Sequence, residues 1–353
     1  MLNDRLIDKS PKFAFTNCVL ANYDPDARCP KWLEYLNYIT AGDEEMEELW
    51  RVVIGYLLSH YDNAKTGFLI YGIPHTGKSV LCNLIERFYG SRNVSHVDIS
   101  MFNRPEFVAH TVGKALNVVP DLTNDSLKDV GRFKSLLSHL DKQAAKALYA
   151  NPIEVESHIK QLFATNHGLS FDTKKASVED IAAVFNRLMF LPFLNPPLRV
   201  GMENKHLADD LWSEYNGIFT WAMGGLRSYI ESGENFPTAA RSEELKANNL
   251  ARYCPEKAFV AQYIEMADED SWISTKELRN AYESYCTENG IVRNRKLDIL
   301  TYVQSHLGVA KEKGRVKDAD GEEHNWWHFK GMKLLWEPDE IDEEEDEADE
   351  DED

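Results

Sequence analysis

Apolar positions in this chain recur with two periods, and the switch between them divides it. In residues 43–60, DEEMEELWRVVIGYLLSH, the side chains of Leu49, Val52, Val53, Tyr56 and Leu57 share one helical face. Asp43 stands at the N-cap, and Glu44 and Glu45 suit the positive end of the first turn. Short apolar runs then alternate with helical segments. Strands are predicted at 68–71, 94–99, 116–122, 161–165 and 188–193, and helices at 77–89, 105–115 and 128–140. Asn151-Pro152 and Asn195-Pro196-Pro197 mark turns between them. Such alternation implies a parallel sheet with helices on both faces.

Residues 205–232 read as an amphipathic helical stretch, and the polar stretch 236–252 reads as a linker. Helices follow at 256–266, 275–288 and 294–307, then two strands around a polar loop within 308–335. Three helices and a hairpin outline a winged helix. The expected organisation is an N-terminal segment (1–42), an α/β domain (43–235), the linker, a winged-helix domain (253–336) and an acidic tail (337–353). Trp326 and Trp327 are expected in the core of the winged-helix domain, base stacking being the alternative.

Charge changes this picture in one place. The chain of 353 residues carries a net charge of −20, but its last 17 residues hold 14 acidic side chains and no basic one. The remainder is only mildly acidic, which leaves room for a local basic groove. The tail itself is too polar to build a core. The five cysteines are scattered without metal-ligand or redox spacing, and no run reaches the length of a membrane span. No leader pattern opens the chain. A cytoplasmic protein with no membrane partner is expected.

Gly72-Ile73-Pro74-His75-Thr76-Gly77-Lys78-Ser79 fits G-x-x-x-x-G-K-[ST] between a predicted strand and a predicted helix. Glycines let the backbone N–H groups turn inward on phosphate oxygens, and the helix adds its positive end. ATP and Mg²⁺ are the expected ligands, with Lys78 on the outer phosphates and Ser79 on the metal. Asp121 ends the third strand and is the candidate to share the Mg²⁺; the alternative is a turn residue after Pro120. Asn166 ends the fourth strand on the same rim, where an amide could orient phosphate and water. Arg187 is a candidate arginine finger for a neighbouring subunit, or else a surface ion pair.

In order and spacing these segments resemble the phage, plasmid and poxvirus-type primase–helicase family, superfamily 3 helicases of the AAA+ class. The segments are YDPDARCPKW (23–32), GIPHTGKS, GKALNVVPDL (113–122), FKSLLSHLDKQAAKALYANP (133–152), LFATNHGL (162–169), FNRLMFLPF and GIFTWAMGGLRSYI (217–230). The resemblance implies an AAA+ ATPase domain and a homo-hexameric ring drawing single-stranded or forked DNA through its centre. It assigns pore contacts to Lys142 and Lys146, with Lys134 beside them; ordinary solvated lysines are the alternative. It assigns Arg293, Arg295 and Lys296 to the start of a recognition helix, and Lys311, Lys313, Arg315 and Lys317 to the wing. A face that only packs against the ring is the alternative there. The chain departs from the family in carrying the single acid Asp121, and in having Asn186 where relatives often carry a second arginine. The roughly 40 residues before the ATPase domain fall short of a primase module, so no primer synthesis by this chain is expected, and a separate primase or other replication protein is a candidate partner. A replication initiator that binds ATP and DNA without unwinding is the alternative function.

Overall fold

The computed structural model describes residues 10, 12, 17–102, 104–122, 130–137, 142–146, 151, 153–156, 159–171, 176, 178–198, 201, 203–268, 271–291, 298–317 and 323–336. The chain divides into two units, residues 1–249 and 250–353.

The first unit is an α/β fold. Its elements begin with α1 (Pro30–Thr40), α2 (Glu44–Leu57), β1 (Gly67–Tyr71), α3 (Lys78–Tyr89), β2 (Val94–Ser95), α4 (Pro105–Ala109) and β3 (Leu116–Val119). They continue with α5 (Val130–Leu136), β4 (Lys142–Ala145), β5 (Ile153–Glu156), β6 (Lys160–Thr165), α6 (Val178–Phe185) and β7 (Leu188–Pro192). Helices α7 (Leu207–Trp212), α8 (Tyr215–Glu231) and α9 (Ala240–Ala251) follow. Five strands form one sheet in the order β2-β3-β6-β1-β7, and every pairing within it is parallel. All five carboxyl ends therefore share one rim, with the strand that precedes Gly72 between β6 and β7.

The core lies where α2 and α8 cross beside the sheet. A β-carbon on Gly55 would sit 2.3 Å from the Ala222 carbonyl oxygen, and one on Gly225 would sit 2.1 Å from that of Arg51. Backbone-to-backbone packing at this distance tolerates only glycine. Tyr56, Phe68, Tyr229 and Phe236 interlock edge-on in this layer. Asp43 caps α2 through the Met46 N–H at 3.0 Å.

Several elements differ from the sequence expectation. The second strand stops at Ser95 because the Asn117 side chain takes over the ladder: its amide bonds both the N–H (2.8 Å) and the carbonyl (2.9 Å) of Val97. Helix α4 ends at Ala109, ahead of the β-branched pair Thr111-Val112 and the left-handed Gly113. Strands β4 and β5 form a hairpin where no strand was expected. The polar stretch 236–252 contains α9, whose buried residues are Ser242 and Asn249, so no apolar stripe announces it. Helix α1 was not expected, although Trp32, Tyr35, Leu36 and Ile39 are spaced for one face and all four are buried.

The second unit comprises α10 (Pro255–Tyr263), β8 (Ile264–Met266), β9 (Trp272–Ser274), α11 (Thr275–Glu288), α12 (Ile299–Leu307), β10 (Lys311–Lys317), β11 (Glu323–Lys330) and β12 (Met332–Leu334). β10, β11 and β9 form an antiparallel sheet, and β12 pairs with β8. Its core gathers Phe259, Ile273, Leu278, Tyr282, Tyr285, Val303 and Phe329. Trp326 and Trp327 do not join it; they are 40% and 46% exposed. Neighbouring strand residues point to opposite faces, so at most one could have faced inward. The hairpin also outruns the core, because β9 pairs only with residues 328–330 of β11. Among the described residues no helix is long and apolar enough to cross a membrane.

Candidate functional site

The rim above β1 is built by a loop whose backbone shape is fixed from outside. Gly72 donates to the Thr165 carbonyl at 3.3 Å, and a β-carbon there would meet that of Phe193 at 2.9 Å. Thr76 Oγ1 closes the turn on the Ile73 carbonyl at 2.8 Å. His75 and Gly77 both take left-handed backbone angles, φ 63° and 97°. Glycine accommodates that conformation; at His75 the strain is a local cost of the loop's curl.

The loop's carbonyls are held by residues behind it. Tyr35 of α1 donates its hydroxyl to the Gly77 carbonyl at 3.1 Å, and the Asn195 side-chain amide donates to that of Thr76 at 3.4 Å. The N–H groups of His75 to Ser79 find no acceptor among the described residues. Five amides at the start of α3, with the helix dipole behind them, make an anion-binding concavity.

Lys78 opens α3 and is 7% exposed. Its ammonium donates to the carbonyls of Gly72 and Ile73, each at 2.7 Å. Burial pushes its pKa down, and the nearby Asp121 carboxylate opposes that shift. Asp121 is exposed just beyond β3, where Leu122 donates to the Ala164 carbonyl at 2.8 Å and ties the segment to β6. Asn166 follows β6, and its side-chain oxygen is buried with no hydrogen-bond partner among the described residues. An unpartnered buried amide oxygen costs free energy and is kept where a ligand or water supplies the missing bond. Ser79 is exposed at the mouth of the loop.

Gly72 to Ser79, Asp121 and Asn166 thus share one rim. Arg187 does not. It precedes β7, and its carbonyl accepts from Gly67 at 2.9 Å, at the opposite end of the sheet. A strand of five residues, roughly 17 Å, separates it from the rim. Its guanidinium donates to the Lys134 carbonyl. Lys134 itself pairs with Asp180 at 2.7 Å. Lys142 opens β4, and its side chain lies outside the described residues; Lys146 is exposed just after that strand. Arg293, Arg295 and Lys296 also lie outside the described residues. Lys311, Lys313 and Arg315 are exposed on β10, which ends at Lys317.

Sequence reasoning missed Tyr35, Asn195 and Phe193, which shape the loop without belonging to its motif. The periodicity of α1 could have revealed Tyr35. Nothing local marks Asn195 as more than a turn residue.

The first unit is a parallel α/β fold in which the loop after β1, between β6 and β7, carries a run of amides with no acceptor among the described residues. A family of unknown function (DUF5906) matches residues 70–178. An uncharacterized mitochondrial protein, ymf21, of Marchantia polymorpha is 33% identical over 82 residues, 23% of this chain and 45% of that protein. The chain thus spans less than half the length of this relative. Among solved structures, the A form of the apo NrS-1 C-terminal region superposes with a TM-score of 0.50 at 11% identity, over 88% of this chain and 78% of that one. A second apo structure of that region (305–718) gives 0.48 at 9% identity, over 89% and 78%. At this identity the likeness is one of fold.

Proposed function

We propose that the chain is an ATP-driven DNA motor of the superfamily 3 helicase type, acting in viral, phage or plasmid replication. The observation that carries this reading is the run of unpaired amides from His75 to Ser79 around a buried lysine. A triphosphate matches it in charge and in acceptor count. The residues fit the ligand: Lys78 would exchange two loop carbonyls for phosphate oxygens, and Ser79 and Asp121 would hold Mg²⁺. Bound ATP·Mg²⁺ supplies the phosphoanhydride whose cleavage drives the motor. Asn166 is placed to accept from the attacking water, which would satisfy its orphaned oxygen. Arg187, remote from its own chain's loop, suits a finger reaching a neighbouring subunit's nucleotide in a ring.

The motifs in their order along the chain support the helicase reading, as does the fold likeness. The β4–β5 hairpin offers Lys146 as a DNA contact, with Lys142 at its base. In the second unit, helices α10 to α12 with the β10–β11 hairpin suit a winged helix, the hairpin being the wing. The test is ATP hydrolysis and unwinding of a forked duplex by the purified chain. Hydrolysis stimulated by single-stranded DNA, unwinding, and loss of both in Lys78→Ala are expected. Nucleotide binding without unwinding would favour the initiator alternative. No affinity for nucleotide, even with magnesium and DNA, would remove both.

A further inference from the structure

The β10–β11 hairpin carries a surface that phosphate contacts on duplex DNA do not explain. Its register sets Lys311 opposite Phe329, Lys313 opposite Trp327, and Arg315 opposite Asn325. Directly opposed residues of an antiparallel pair share a face. That face therefore begins in the core at Phe329, which is fully buried, and opens outward through Trp327, Lys313 and Arg315. Lys311 Nζ lies 5.0 Å from the centre of the Trp327 ring. Lys317 and Glu323, opposite each other, close the outer end of the face; among its described side chains there is no acid, and neither Lys313 nor Arg315 forms an ion pair among the described residues. Over residues 323–327, ahead of its pairing with β9, β11 has β10 as its only sheet neighbour among the described residues, so the outer hairpin projects past the sheet.

Trp327 stands 46% exposed in that basic row, outside the domain core. The opposite face behaves differently. There Trp326 is stacked against His324 at 4.2 Å and meets Trp272 edge-on at 6.2 Å, so its ring already has aromatic partners. Among the described residues Trp327 has only a cation above it. An aromatic ring beside positive charges is the chemistry that holds unpaired nucleobases: the ring stacks on a base of any identity, and the cations hold the flanking phosphates. Base-paired DNA keeps its bases stacked on each other and offers the ring nothing.

We propose that this face of the hairpin binds single-stranded nucleic acid, one unpaired base stacking on Trp327 while Lys313 and Arg315 hold its phosphates. The site deepens the DNA-binding part of the reading above and rests on it. It selects opened strand over duplex, so the hairpin would engage a strand already separated.

The test measures binding of the full chain, without nucleotide, to a labelled oligothymidine, to the same backbone with abasic sites, and to a blunt duplex. Trp327→Ala is expected to weaken oligothymidine binding about tenfold and Trp327→Phe to restore most of it. The wild type should prefer oligothymidine over the abasic strand, and Trp327→Ala should lose that preference. Lys313→Ala with Arg315→Ala should weaken both strands alike and reduce the salt dependence. Trp326→Ala should leave all three unchanged. Unaltered oligothymidine binding by Trp327→Ala, or an equal loss on the abasic strand, overturns the proposal. ATP hydrolysis by the same preparations separates the two readings. A wild type that hydrolyses and unwinds without Trp327-dependent binding refutes only the hairpin site. A wild type inert towards ATP that still shows such binding refutes only the motor.

Discussion

The parallel sheet of the first unit has a buried lysine at each end, and the two are solved in opposite ways. Lys160 begins β6 and is 6% exposed. Its ammonium donates to the carbonyls of Tyr56 (2.8 Å), Leu57 (3.2 Å) and Ser59. These belong to the last turn of α2 and just beyond it, the negative end of a helix, where carbonyls lack intrahelical partners. The cation is a cap, and the arrangement is complete. Lys78 also bonds only carbonyls, but it sits in the first turn of α3, the positive end of a helix, where a cation is unwelcome. An anion at that helix end would be stabilised by both the dipole and the ammonium. Burial alone does not separate a structural lysine from a ligand-binding one; the polarity of the adjacent helix end does.

That contrast can be broken by mutation. The largest effect is expected from Lys78→Ala, which should lower ATP hydrolysis by about 10²–10³-fold, the size of losing one fixed charge donor in a reacting site. Its thermal stability without nucleotide should fall less than that of Lys160→Ala, because the helix dipole opposed the lost ammonium and so offsets part of the cost of the two freed loop carbonyls. Steady-state kinetics and a melting curve on one preparation check both halves. Lys160→Ala should do the reverse. It strands carbonyls at the end of α2 and should cost roughly 3 kcal/mol of stability, read from the denaturant midpoint. A folded Lys160→Ala protein should still bind nucleotide.

A smaller effect is a slope with pH. Burial pushes the Lys160 ammonium from 10.5 down to about 7, with Asp62 opposing the shift. Between those values the unfolded chain keeps a proton that the folded chain has released. Stability should therefore rise with pH across that window, by at most about 1.4 kcal/mol per pH unit. Urea midpoints at pH 7, 8 and 9 measure this, and Lys160→Met should flatten the line. A flat line in the wild type would mean the helix-end carbonyls keep the lysine charged throughout. The smallest effect is expected from Tyr35→Phe, which frees the Gly77 carbonyl and should cost about 1 kcal/mol, with weaker nucleotide affinity rather than lost hydrolysis. A changed maximal rate with unchanged affinity would place Tyr35 in the chemistry rather than behind the loop.

Much of this was legible along the chain because it depends on near neighbours. The loop motif, the capped helix α2, the five apolar strands and the helix at 275–288 are statements about residues within a few positions of each other. The misses share one cause. Whether Val97 joins the ladder depends on Asn117, twenty residues away; whether 240–251 is a helix depends on Ser242 reaching the Phe190 carbonyl, at 2.5 Å. The exposure of Trp326 and Trp327 depends on how far β9 runs alongside them. No window of sequence contains those distances.

The sequence by itself determined which residues could curl around a phosphate and which strands could be buried, since backbone freedom and side-chain polarity are properties of the residues. Only the tertiary structure decided which lysine meets the carbonyl end of a helix and which stands at the amide end of another. It also decided that Arg187 sits at the far end of the sheet from the loop, and that, among the described residues, one tryptophan of an adjacent pair has ring partners while the other does not. Those outcomes are set by strand order, register and helix polarity, which arise when distant segments pack and exist nowhere in the linear chain.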